Sequence, residues 1–145
     1  MADYPLATIF VPSFDGQALA VHRMGQGRPV LLLHGLFSSA AMNWTRFGHA
    51  RRLAESGFEA IMPDLRAHGD SAAPHDPAAY PQGVLRRDLE ALAGALALAD
   101  FDLAGFSLGA RTAAGAVACG LRPRRLVLAG MGLEGLSGWA RRSAF

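Results

Sequence analysis

Lysine is absent from the chain, and all 14 of its basic side chains are arginine. A phosphate-cradling P-loop, which ends on a lysine, is thereby excluded. The arginines are scattered among 12 acidic residues, for a net charge of +2. A nucleic-acid-binding domain gathers its basic residues on one face or along one helix, so no nucleic-acid partner is expected. The local groups Arg122, Arg124, Arg125 and Arg141, Arg142 read as solvated loop positions. Cysteine occurs once, at Cys119. That rules out an internal disulfide and fits a reducing compartment. Set among alanine and glycine, this thiol is expected to be buried and structural. No run approaches the roughly 20 apolar residues of a membrane span. The N-terminal stretch carries an early acid and no basic n-region of a secretory leader, so a soluble, cytoplasmic protein is expected. His-x-His, HExxH and paired cysteines are all missing, and neither a metal nor a cofactor is expected.

What is present is a 51% share of apolar residues and 17 glycines in 145 residues, enough to build a globular core. Four short runs, at 29–33, 58–62, 101–105 and 125–130, are predominantly apolar, do not alternate strictly, and are bounded by turn residues. Such runs, as opposed to alternating ones, mark strands covered on both faces, as in a parallel sheet. Helical patterns lie between them. One covers 43–55, with Asn43 as N-cap and Gly57 past its end. A second covers 82–98, where Leu85, Leu89, Leu92 and Leu96 make one stripe, and a third covers 107–119. This alternation implies right-handed crossovers and helices on both faces of the sheet. Two earlier strands, around 8–11 and 18–23, flank the Phe14-Asp15-Gly16 turn as a hairpin. No repeat or long linker divides the chain.

Gly105-Phe106-Ser107-Leu108-Gly109 fits GxSxG, between a buried strand and a helix. A tight strand-to-helix turn lifts a serine hydroxyl clear of the sheet, and small flanking residues let neighbouring backbone approach without a Cβ clash. Ser107 is therefore the candidate nucleophile. Acyl transfer also needs backbone N–H donors where charge develops on the tetrahedral intermediate. One donor belongs to the residue after the nucleophile, here Leu108. The other belongs to the loop His34-Gly35-Leu36-Phe37, where Leu36 is placed ahead of Phe37.

In that order, Leu31 to Phe37 (LLLHGLF), Asp64 to Ser71 (DLRAHGDS) and Gly105 to Ala110 (GFSLGA) resemble the α/β-hydrolase superfamily, in its serine-nucleophile, esterase- and lipase-like branch. The likeness covers essentially the whole chain. It implies an α/β fold: a mostly parallel sheet of eight strands, the second antiparallel, with helices on both faces and commonly a cap after strand six. It makes residues 64–71 similar to DxRGxGxS, a loop that shapes and braces the site, with Ala-His-Gly in this copy. Six strands can be counted, so strands seven and eight are missing. The expected unit is a single incomplete core domain over 1–145, ending near the start of a cap region.

The family's triad runs Ser, acid, His along the chain. After Ser107 there is no Asp and no His, the one acid is Glu134, and His22, His34, His49, His68 and His75 all precede the serine. Some superfamily members place their triad acid where Glu134 stands; the competing reading is a polar residue at the start of the cap. His68, in a loop at the carboxyl end of the sheet, and less so His34 are candidate bases, but the family pattern makes the His68 loop structural. A serine hydroxyl without a base is a weak nucleophile, and loss of a triad member leaves only residual catalysis. The chain is thus expected to be inactive or impaired alone. Gly130-Met131-Gly132-Leu133-Glu134-Gly135 also matches GxGxxG after a strand. A dinucleotide site would need a helix, a second strand and an acid about 20 residues on, whereas only 10 residues follow Gly135. The family context makes it the glycine-rich exit of strand six.

The expected function is hydrolysis of a carboxylic ester or related acyl bond in a small-molecule substrate. Serine at the elbow argues against the dehalogenase and epoxide hydrolase branches, which use a carboxylate nucleophile. Esterase, lipase, thioesterase, C–C hydrolase and perhydrolase all stay open. The alternative is a non-catalytic fragment or partner-binding remnant, and an open, apolar sixth-strand edge predicts self-association.

Overall fold

A computed structural model describes residues 2–133. Its strands are β1 (Ala7–Pro12), β2 (Ala18–Gly25), β3 (Arg28–Leu33), β4 (Phe58–Pro63), β5 (Asp102–Phe106) and β6 (Leu126–Ala129), and they form one sheet in the order β1-β2-β4-β3-β5-β6. β2 runs antiparallel to both of its neighbours, and β4, β3, β5 and β6 run parallel. This is the expected α/β architecture. Glu134 and the end of the GxGxxG stretch lie outside the described residues.

The sheet is apolar on both faces because its central strands alternate between two cores. Leu31 and Leu33 of β3, Ile61 of β4 and Leu103 of β5 face helices α2 (Val84–Ala95) and α3 (Leu108–Ala118). Val30 and Leu32 of β3 join Ala60 and Met62 of β4 on the other face, where Ala50 and Leu53 of α1 (His49–Glu55) cover them. Leu85, Leu89 and Leu92 supply the α2 stripe as expected.

Two expectations are corrected. The helix expected over 43–55 is divided: a π-helical turn spans Ala41–Thr45, and α1 starts only after Gly48. Asn43 caps nothing, because its Oδ1 accepts the Gly35 N–H at 2.9 Å instead. Cys119 is exposed, not buried, because it stands at the carboxyl end of α3 where the helix leaves the sheet.

At the amino edge of the sheet Arg28, which opens β3, and Arg125, just before β6, converge on Asp102, which opens β5. The Nη2–Oδ2 distances are 2.6 and 3.0 Å. The Arg28 guanidinium foremost holds the Asp102 carboxyl below its usual range. At the far edge, β6 pairs with β5, and Val127 is 59% exposed. No helix among the described residues is long and apolar enough to cross a membrane.

Gly109 sets how closely α3 lies on the sheet: a Cβ there would sit 2.2 Å from the Leu33 carbonyl oxygen. Gly94, in α2, faces open space. The same substitution should therefore have opposite signs. Gly109→Ala is expected to lower unfolding stability by about 3 kcal/mol, and Gly94→Ala to raise it by about 0.5–1 kcal/mol, both read from urea midpoints.

Candidate active site

β5 passes into α3 through Ser107, whose φ of 54° and ψ of −111° lie in a region that side-chain-bearing residues avoid. Holding such a conformation costs about 1–3 kcal/mol, so the surroundings must impose it. The Ser107 N–H donates to the Ala129 carbonyl at the end of β6 (2.8 Å), and its own carbonyl accepts from Arg111 N–H in α3 (3.0 Å). A Cβ on Gly105 would lie 2.4 Å from the Gly109 carbonyl carbon, so both outer positions of the motif are filled by neighbouring backbone. The turn leaves Ser107 partly buried at the carboxyl end of the sheet. Leu108 opens α3, where first-turn N–H groups have no intrahelical acceptor.

The loop after β3 leaves the sheet at the same end, since Leu33 is paired with Gly105. Ser38 N–H donates to the Gly35 carbonyl at 3.2 Å, closing a turn with Leu36 and Phe37 at its centre. Phe37 has a φ of 57°, which at the third position of a turn is the type II arrangement. The Phe37 N–H is already engaged: it donates to His68 Nε2 at 3.1 Å. Phe106 ties this loop to the serine turn, because a Cβ on Gly35 would lie 3.1 Å from its ring and one on Gly130 only 2.7 Å. Leu36, Phe37 and Phe106 together present an exposed apolar rim.

The loop after β4 braces the loop after β3. Asp64, 2% exposed, accepts from the N–H groups of Ala40 (2.9 Å) and Asp70 (3.0 Å) and from His22 Nε2 (2.9 Å). Burial pushes its carboxyl up, but these donors outweigh it and hold the group below the usual carboxylate range. Ser71 donates to the Asp64 carbonyl (2.6 Å) and accepts the Ala20 N–H (2.9 Å). Arg66 is 1% exposed. Its five N–H donors reach Asp15, Asp88 and the Ala79 carbonyl at 2.6–3.0 Å, and Ser13 donates to the same Asp88 carboxylate. Burial opposes the guanidinium charge, yet the two carboxylates raise its pKa. Sequence reasoning passed over Asp15 and Asp88. The signal for them was the arginine itself, since a buried guanidinium requires carboxylates.

His34 is fully buried. Its Nε2 accepts Leu65 N–H at 2.9 Å, so Nδ1 carries the hydrogen and donates to the Gly35 carbonyl at 2.8 Å. Burial lowers its pKa and keeps it neutral. His68 is spent likewise, with Nδ1 on the Arg66 carbonyl at 2.9 Å and Nε2 on Phe37. Neither ring has a nitrogen free to act as base on Ser107. His22, Asp64 and Asp70 bring ligand-type atoms within 4.8 Å of one another, but Asp64 already spends both oxygens on the donors above, and the group serves as a brace.

A family profile described as alpha/beta hydrolase fold matches residues 28–123. An epoxide hydrolase from Caballeronia sordidicola is 35% identical over 108 residues, covering 74% of this chain and 30% of that protein. An AB hydrolase superfamily protein from Bacillus subtilis is 32% identical over 101 residues, covering 69% of this chain and 35% of that protein. Among solved structures, an esterase from Exiguobacterium antarcticum superposes with a TM-score of 0.77 at 29% identity, over 86% of this chain and 45% of that one. A variant epoxide hydrolase from Vigna radiata gives 0.74 at 26%, over 85% and 38%. The chain spans about a third of the length of the curated relatives it matches.

The depressed pKa values of His34 and Asp64 predict acid unfolding in two stages. The folded state binds the His34 proton less readily than the unfolded chain, whose value is near 6.5. Stability is therefore expected to erode as pH falls below 6.5. Asp64 contributes fully above the unfolded value of 3.8, and that contribution is lost as pH falls through its lower folded value. Urea midpoints from pH 7 to pH 3 should show both declines. Asp64→Asn should shrink the second and cost about 2–3 kcal/mol at pH 7.

Proposed function

Because the chain belongs to the alpha/beta hydrolase fold family, we propose that it carries the nucleophile of a hydrolase that cleaves carboxylic esters or related acyl bonds in small molecules. In this reading the Ser107 oxygen attacks the carbonyl carbon, and the N–H groups of Leu36 and Leu108 receive the oxyanion. The leaving group departs, water then attacks the acyl-serine, and the serine is regenerated. The observation that carries the reading is the Ser107 turn. Strain is maintained there at a partly buried serine, and strained backbone clusters where chemistry requires it. The engagement of Phe37 N–H by His68 supports Leu36 as the second donor.

The 145 residues form one incomplete core in this proposal. The base that takes the Ser107 proton and returns it to the leaving group comes from sequence beyond them, in keeping with the Ser, acid, His order. Glu134 is retained as a candidate for the acid. Several relatives are named epoxide hydrolases, and elementary chemistry bears on whether Ser107 could serve that reaction. A serine oxygen that opened an epoxide would be left in an ether, which offers water no carbonyl to attack. A carboxylate would be left in an ester, which water can cleave. Serine at this position therefore favours acyl substrates. Cys119, unpaired and exposed, is compatible with a cytoplasmic setting.

Among the described residues β6 pairs only with β5, and that edge favours a second property, self-association of the 145-residue chain. Sedimentation should show its apparent mass rising with concentration, and Val127→Lys should suppress the rise; a concentration-independent monomer would remove this reading.

The serine reading is tested by fluorophosphonate labelling of the product of the complete reading frame. The expected outcome is a covalent adduct on the Ser107 peptide that Ser107→Ala abolishes. Absence of any Ser107-dependent adduct would overturn the proposal.

A further inference from the structure

The turn after β3 has two N–H groups at its centre, and the structure treats them differently. Phe37 holds a positive φ of 57° and is 88% exposed. No packing of the phenyl ring imposes that conformation, and a bulky residue does not adopt it unaided. Among the described residues the central peptide makes one polar contact, Phe37 N–H to His68 Nε2, at 3.1 Å. The peptide between the two central residues of a turn is the unit that reverses between the type I and type II arrangements. A partner for its N–H therefore selects the arrangement.

His68 is built to be that partner. Its Nδ1 faces the Arg66 carbonyl at 2.9 Å, an acceptor only, so Nδ1 carries the hydrogen and Nε2 presents a lone pair to Phe37. The Arg66 backbone is in turn immobilised by the five bonds of its side chain. The ring also packs near that of buried His34, with centroids 5.1 Å apart, and His34 holds the start of the same turn through the Gly35 carbonyl.

We propose that His68 is a positioning residue for the oxyanion loop: by taking the Phe37 N–H it fixes the type II turn and leaves the Leu36 N–H as the donor free for the developing oxyanion. This rests on the reading of Ser107 as nucleophile. It assigns His68 a role different from that of a base, since its nitrogens act on backbone groups and not on the substrate.

Two substitutions in the complete-reading-frame product test it. His68→Phe keeps a ring and removes the acceptor; His68→Gln offers an acceptor oxygen near the reach of Nε2. His68→Phe should slow fluorophosphonate labelling of Ser107 by about 10-fold to 100-fold and speed hydrogen exchange at the Phe37 amide. His68→Gln should restore most of the labelling rate and most of the protection. Equal labelling rates in all three proteins, or equal impairment in both variants, overturns the proposal while leaving Ser107 as nucleophile. If the unaltered protein forms no Ser107 adduct, the proposal falls together with the reading it rests on. Should His68→Phe fail to fold, nitrogen NMR of the unaltered protein decides. An unprotonated His68 Nε2 bonded to the Phe37 amide supports the assignment, and a protonated Nε2 overturns it.

Discussion

A buried carboxylate stays ionised only where donors replace the water it has lost, and Asp64 draws its donors from three separate segments. His22 comes from β2, the Ala40 N–H from the segment after β3, and the Asp70 N–H from the loop Asp64 itself begins. Gly69 packs so tightly on it that an added Cβ would fall 2.3 Å from the carboxyl carbon. One charge therefore organises the approach of three chain segments at the carboxyl end of the sheet. His22 is oriented from behind by Thr8 Oγ1 at 2.8 Å, which extends the arrangement to β1. Arg66, two residues on, repeats the logic with the opposite sign and draws in Asp15 and Asp88.

On this frame the serine turn is a matter of backbone proximity more than of side chains. Leu33, Gly105 and Gly109 bring β3, β5 and α3 closer together than any Cβ would allow. Ala129 at the end of β6 then fixes the Ser107 amide. Three parallel strands and one helix thus meet at a residue with unfavourable dihedral angles. The strain is sustained because each neighbouring contact is short, direct and main-chain.

Much of this was legible in the sequence where the physics is local. Predominantly apolar runs identified the four parallel strands to within a residue or two, and the Phe14-Asp15-Gly16 turn marked the hairpin, with Gly16 at a φ of 83°. The three motifs located the serine, its loop and the bracing segment in the right order. What stayed hidden depends on distant partners. Asn43 looked like a helix cap because capping is a local rule, yet a main-chain N–H from the neighbouring loop outcompeted it. The His22–Asp64 contact joins residues 42 apart, and Arg66–Asp15 joins residues 51 apart; no spacing rule reaches that far. Positive φ at Phe37 and Ala67 was equally invisible, since neither residue type announces such a conformation as glycine would.

The triad of charges at Arg28, Asp102 and Arg125 lies at the opposite end of the strands from Ser107. Parallel strands carry the loops after β3, β4 and β5 to one edge, while at the other edge these charges join the openings of β3, β5 and β6. The two ends of the sheet are consequently independent engineering problems. Charge exchanges around Asp102 can adjust thermal tolerance with the serine turn untouched, while loop redesign around Leu36 and Phe106 leaves the fastening intact. A chain built this way can be hardened and repurposed in separate steps.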